Sequence, residues 1–206
     1  MKLEFQAKLL QHLNKKKGSE EGFTLIELLV VIIIIGILAA IALPSFLNQA
    51  NKAKQAEAKT YVGSMNRAQQ AFYLENNYMT AFGDNGSGFG ALGLGIATQT
   101  VNFTYSMAGG ATEAPDTVTV GAPSGKVTNQ AQPRALSLKA YIGGVSLGQV
   151  ATTSEATTLA VLCEAKIASG IAPNTNGTEE AQFAADGTPS CPVDNYKPVG
   201  GKTSAN

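Results

Sequence analysis

The stretch from Leu28 to Leu43 constrains this chain more than any other, because every residue in it is apolar or glycine. With Phe23–Ile26 before it and Phe46–Leu47 after it, the segment reaches about 25 residues. As a helix that is ~37 Å, enough to cross a bilayer. Lys15, Lys16 and Lys17 precede it, so the N-terminus is expected on the cytoplasmic side and the bulk of the chain beyond the membrane. One residue does not fit. Glu27 places a carboxylate in a segment where a charge at membrane depth costs on the order of 2.5–3.5 kcal/mol. Such a group needs a partner, and the chain as written offers no cation inside the run.

Three processing schemes are compatible with the segment. A secretory signal could be cut at the small residues of "LAAIA" (Leu38–Ala42), but the run is long, Glu27 interrupts it, and Phe46 and Leu47 continue the pattern past the cut. A plain signal anchor leaves Glu27 unexplained. Cleavage between Gly22 and Phe23 would create an α-amino group at Phe23, one helical turn from Glu27.

The 206 residues allow one soluble domain plus an anchor. Formal charge is zero. The N-terminal segment to Gly22 holds five lysines against three glutamates, and the remainder is correspondingly acidic. No basic block lies outside that segment, so the charge does not suggest a nucleic-acid binder and gives DNA binding no support. Cys163 and Cys191 are the only cysteines, and a pair in an exported chain reads as a disulfide worth ~3–4 kcal/mol in the loop-entropy model.

Beyond Pro44, apolar residues recur at helical spacing: Phe46, Ala50, Ala53, Ala58, Tyr61, Met65, Ala68 and Phe72. Lys52, Lys54, Glu57, Lys59 and Arg67 occupy other faces, as on a solvated helix. This amphipathic continuation ends near Glu75–Tyr78 and needs a sheet to cover its apolar face. Pro44 removes a backbone donor and Gly36 weakens the helix upstream, so the span between them is its least robust part. A Gly-rich loop follows at Gly83–Gly95. Alternation then marks strands at Val101–Met107, Val118–Val120, Leu136–Ile142 and Leu159–Cys163. The expected class is α+β, with three or four antiparallel strands presenting one apolar face to the helix. The remainder, Ala168–Asn206, reads as irregular and pinned by Cys191.

Catalytic chemistry has no support in the sequence, and no cofactor is expected. The single histidine, His12, precedes Gly22, so a chain cut there has neither a Ser-His-Asp triad nor a His-containing zinc site. The cysteines form no C-x-x-C, and no phosphate-binding or dinucleotide loop is present. No metal site is expected, since turn chemistry accounts for "DNG" (Asp84–Gly86) and "NTNGTEE" (Asn174–Glu180) more cheaply than calcium. Two sequons, at Asn102–Thr104 and Asn176–Thr178, are short enough to arise by chance.

The stretch "GFTLIELLVVIIIIGILAAIALP" resembles the class III signal of type IV prepilins, the precursors of type IV pilins and pseudopilins. The resemblance covers residues 15–75, and a C-terminal disulfide-bounded loop extends it. It implies that a prepilin peptidase cuts after Gly22 and N-methylates Phe23, and that Glu27 acts in assembly. It further implies loosening of the Gly36–Pro44 span when a subunit leaves lipid for a fibre. The implied organisation is a leader over 1–22, a membrane and fibre-core helix over 23–47, its amphipathic continuation over 48–78, and a sheet-and-loop head over 79–206. The implied work is that of a major subunit. It would be stored in the inner membrane, polymerise with copies of itself through the pilus assembly machinery, and form an extracellular fibre serving motility, adhesion and DNA uptake. A type II secretion pseudopilin, a minor pilin and a signal-anchored binding protein are the alternatives.

Overall fold

A computed structural model describes residues 8, 22–115, 119–120, 122–149 and 156–200 of the chain. The leader apart from Lys8 and Gly22 therefore lies outside the described residues, as does Val118. The chain divides into two compact units, 1–48 and 49–206.

Helix α1 runs over Leu25–Asn76 with Pro44 inside it. From Leu28 to Leu43 it is apolar on every side, and its large side chains up to Leu47 are exposed. It ends where Asn77 adopts a left-handed backbone (φ 61) and returns its N–H to the Tyr73 carbonyl at 2.7 Å. Asparagine tolerates that conformation better than most residues, which sets the stop.

Among the described residues, the second unit holds a short helix α2 (Ser87–Ala91) and seven strands. Strands β1 (Phe103–Gly109), β2 (Lys126–Pro133), β3 (Tyr141–Gln149), β4 (Ala156–Ala165) and β7 (Tyr196–Pro198) form one antiparallel sheet in the order β1-β2-β3-β4-β7. Strands β5 (Gln182–Phe183) and β6 (Pro189–Ser190) make a separate pair. The sheet has five strands where three or four were expected. The additional ones are β2 and β7, and the C-terminal stretch read as irregular contains β5, β6 and β7.

Helix α1 lies on one sheet face through Ala58, Val62 and Met65, which share a core with Phe103, Tyr105, Met107, Val127, Tyr141 and Val145. The buried helix stripe also includes Asn66 and Gln69, while Ala53 of the expected apolar face is exposed. Both polar residues earn their burial through hydrogen bonds. Asn66 donates to the Val161 carbonyl at 2.9 Å and accepts from Asn129 at 2.9 Å. Gln69 brackets the Thr80 backbone, donating to its carbonyl at 2.9 Å and accepting from its N–H at 3.1 Å. Close approach here requires glycine on β3, since a Cβ at Gly143 would lie 2.2 Å from Asn66 Oδ1.

The opposite face is covered as well. Ile142 of β3 joins Ala140, Cys163, Ala165, Cys191 and Tyr196 in a second core, and the Cys163–Cys191 disulfide (Cα–Cα 5.7 Å) lies within it. The C-terminal segment is held against this face through its backbone as well. Gln130 donates to the Thr178 and Glu179 carbonyls, Thr128 Oγ1 accepts from the Ala181 N–H, and Ser146 donates to the Gly187 carbonyl. β3 is thus buried on both faces, and a sheet with a single apolar face is corrected to one sandwiched between helix and C-terminal segment.

Strand positions shift accordingly. Phe103, Tyr105 and Met107 alternate inward as expected, but Val101 lies before β1 and is 87% exposed. Leu136 is 75% exposed in a loop, and β3 begins only at Tyr141. Val120 lies in a turn.

Glu57 ties α1 to the entry of β1. Its carboxylate accepts from Thr100 Oγ1 at 2.5 Å, Asn102 Nδ2 at 2.8 Å and the Tyr105 hydroxyl at 3.1 Å. Partial burial pushes the carboxyl up, but the bonds from Thr100, Asn102 and Tyr105 together hold it below its ordinary value of 4.5. Burial first, and then the Glu57 charge, push the Tyr105 hydroxyl well above its ordinary range, so it remains a donor. A carboxyl depressed in the folded state contributes stability above its unfolded pKa, and that contribution is lost as pH falls through the folded value. The Glu57→Gln head is therefore expected to melt below wild type near neutral pH, with the gap closing in acid below 4.5. Thermal melts of both proteins across that window check it, and a pH-independent gap would count against the assignment.

Candidate functional site

Water-exposed apolar surface on this scale marks a site of association. From Phe23 (85% exposed) to Leu47, the large apolar side chains of the first half of α1 are all exposed, and this part of the helix is long and apolar enough to cross a membrane by length and composition. Burying each such side chain is worth ~1.5–3 kcal/mol, so the segment as a whole stores on the order of tens of kcal/mol for a membrane or for neighbouring helices.

The helix entrance has defined polar geometry. Thr24 precedes the first helical residue, Leu25, and Glu27 lies three positions on. Thr24 Oγ1 accepts from the Glu27 N–H at 3.3 Å, and Glu27 Oε2 accepts from the Thr24 N–H at 2.8 Å and from its hydroxyl at 2.9 Å. Leu28 N–H reaches the Thr24 carbonyl at 3.2 Å. This is a reciprocal capping box, which satisfies amides that the helix start leaves unpaired. The positive end of the helix dipole also favours a carboxylate there. Glu27 therefore has hydrogen-bond partners within the chain as written, although no cation is among them. Only one carboxylate oxygen is engaged, since Oε1 accepts from no group among the described residues.

Gly22, Phe23 and Glu27 are consecutive features of this entrance, all exposed. Gly36 and Pro44 lie within α1. A Cβ at Gly36 would meet nothing within 4 Å, so no packing within the subunit calls for glycine there. Pro44 supplies no N–H to the carbonyl one turn back. Lys52, Lys54 and Lys59 are exposed, as on a solvated face. Among the described residues no three His, Cys, Asp or Glu side chains are grouped to hold a metal. The oxygens of "NTNGTEE" are used locally, Asn176 Oδ1 by Thr178 and Glu179 Oε2 by Gly177 and Tyr196.

Two residues escaped the sequence reading. Thr24 was legible, since T-x-x-E before an apolar run is a capping-box signature. Glu57 was not, because its partners lie more than 40 positions away.

Thr24→Val keeps the shape of the side chain and removes both hydroxyl contacts. Losing the cap is expected to cost ~0.5–2 kcal/mol of local helix stability. Hydrogen exchange in detergent should show lost protection at Glu27 and Leu28, whose amides bond to Thr24, and no loss beyond Gly36. Unchanged protection at Glu27 and Leu28 would mean that the box contributes nothing.

Comparison with known proteins places both parts of the chain. A family model for the prokaryotic N-terminal methylation motif matches residues 17–43, and one for type IV pilin-like G and H proteins matches residues 55–192, more than half of the chain. The type IV major pilin protein PilA of Myxococcus xanthus is 49% identical over 61 residues, 30% of this chain and 28% of that protein. The type IV wide pilus major component PilA4 of Thermus thermophilus is 33% identical over 87 residues, 42% of this chain and 63% of its own. The type II secretion system core protein G of Vibrio cholerae is 38% identical over 63 residues, 31% of this chain and 43% of its own. The chain thus spans less than two-thirds of the length of each of these relatives. No solved structure matches.

Proposed function

The chain belongs to the type IV pilin-like G and H family, and from that premise we propose that it is the precursor of a structural subunit of a type IV pilus fibre. The observation that carries the reading is the exposed apolar half of α1, opening on a capped carboxylate within a matched N-terminal methylation motif. A prepilin peptidase removes residues 1–22 and methylates Phe23. The 23–47 segment then holds the subunit in the inner membrane until the assembly machinery transfers it to a polymer of identical subunits. Residues 48–78 carry the helix into the head, and 79–206 form the outer surface of an extracellular fibre. The span from Gly36 to Pro44 is the part of the helix that loosens on leaving lipid. Motility, adhesion and DNA uptake are the outputs of such a fibre, although the balanced charge lends DNA binding no support. The work of the chain in this scheme is assembly.

Glu27 has a second role in this scheme. Its free Oε1 faces a new cation once cleavage exposes the Phe23 amine, which stays positive on methylation. In a staggered bundle the Phe23 amine of one subunit meets Glu27 of the next. An unpaired charge buried among apolar helices costs several kcal/mol, so the pair penalises wrong axial registers more than it adds net stability.

A pseudopilin of a type II secretion system is the second reading, favoured by the likeness to the core G protein. Electron microscopy of cells lacking only this gene separates the two, since loss of surface fibres fits the pilus subunit and loss of secretion with fibres intact fits the pseudopilin.

Two variants test the processing and assembly steps. Gly22→Val places a bulky side chain before the scissile bond and is expected to accumulate full-length precursor in the membrane. Mature-size protein at normal level would sink the cleavage assignment. Glu27→Ala is expected to be processed and stable in the membrane yet to yield few fibres. Thr24→Val, which loses the cap but keeps the carboxylate, should still assemble. Abundant normal fibres from Glu27→Ala would falsify the register role.

A further inference from the structure

The loop at Asn174–Glu180 contains an Asn-Gly step surrounded by groups that the fibre scheme does not use. Asn176 and Thr178 are exposed. Asn176 Oδ1 accepts from the Thr178 backbone N–H at 3.1 Å and from its hydroxyl at 2.8 Å. The Gly177 N–H donates to Glu179 Oε2 at 2.9 Å, and the same oxygen accepts from the buried Tyr196 hydroxyl. Gly177 has φ +89, and a Cβ there would lie 2.7 Å from the Ala131 carbonyl oxygen. Glycine is therefore required at this position, and it is also the residue whose backbone nitrogen is least shielded from the preceding side chain. Gln130 pins the loop from the sheet through the Thr178 and Glu179 carbonyls at 2.9 and 3.2 Å.

We propose that Asn176 is a self-modification site, converted within the folded head to aspartate and isoaspartate through a cyclic succinimide. The Gly177 nitrogen attacks Asn176 Cγ as its proton passes to the Glu179 carboxylate. Negative charge grows on Oδ1, where the two Thr178 donors already point, an arrangement that stabilises an oxyanion. The carboxylate returns the proton to Nδ2, the Cγ–Nδ2 bond breaks and ammonia leaves. Water then opens the ring at either carbonyl. Opening at the side-chain carbonyl gives aspartate, and opening at the backbone carbonyl gives isoaspartate with one extra methylene in the main chain. The only co-reactant is water. The pinned loop supplies orientation, and Glu179 acts as a positioned general base. Each event adds one negative charge to a chain with 15 basic and 15 acidic residues.

The same chain carries an internal comparison. At Asn85–Gly86 the glycine N–H is directed to the Gly83 carbonyl at 3.4 Å rather than to a carboxylate. The full chain in detergent is incubated folded and in denaturant, and conversion at both steps is followed by peptide mapping with mass spectrometry. Folded wild type is expected to convert Asn176 faster than Asn85 and faster than the denatured chain does. Glu179→Gln can still accept from Gly177 and Tyr196, so its melting temperature should be retained while Asn176 conversion slows by at least ~10-fold. Thr178→Val should also slow Asn176, with Asn85 unaffected by either change. The proposal is overturned if Glu179→Gln converts Asn176 as fast as wild type. It is equally overturned if folding slows Asn176, which would make the bond to Glu179 protective, or if a glycan is found on Asn176 Nδ2.

Discussion

Water solvates the first half of α1 only at great cost, and the organisation of the chain follows from that. A helix apolar on every side has no preferred face, so it suits a lipid environment or a ring of similar helices equally well. Its entrance is where defined polar geometry begins. The capping box at Thr24 and Glu27 supplies that geometry with groups only three positions apart. It satisfies the helix start through one carboxylate oxygen and leaves the other unengaged among the described residues.

The second half of the same helix solves a different problem. It must bind one particular face of one sheet, and apolar contact alone is non-directional. The polar members of the buried stripe supply the direction. Asn66 bridges Asn129 on β2 and the Val161 carbonyl on β4, and Gln69 captures the chain just after the helix. Each would be costly if left unpaired, so a sliding or rotated helix is penalised at several points at once. Gly143 permits the approach that these bonds require.

The parts legible in the sequence were those governed by local pattern. The apolar segment, the helix end near Asn76, the inward alternation of Phe103, Tyr105 and Met107, and the cysteine pair all rest on spacing or composition within a short window. β2 was invisible for a physical reason. Its sequence, KVTNQAQP, is mostly polar because Asn129 turns to the helix while Thr128 and Gln130 turn to the C-terminal segment. Both faces are buried by hydrogen bonding as much as by apolar contact, and no hydrophobic alternation marks such a strand. β3 fails the same test from the other side, since its buried faces are filled partly by Gly143, Gly144 and Gly148. β7 is three residues long and exists through its pairing with β4. At the candidate site, Glu27 stood out as a charge in an apolar run, whereas Glu57 resembled any solvated helix carboxylate until its distant partners were in place.

The manner in which the sheet holds its C-terminal cover bears on how this surface can change over generations. Gln130, Thr128 and Ser146 address carbonyls and an N–H of the segment, groups that every amino acid carries. The reading side chains belong to the sheet, and what they read is backbone. Outside the constrained positions Gly177 and Gly187, the bridged Cys191 and the buried Ala181 and Tyr196, the segment can exchange its side chains without losing its seat. A protein built this way can present many different outer faces to its surroundings while its seated path and its helix-facing core stay the same.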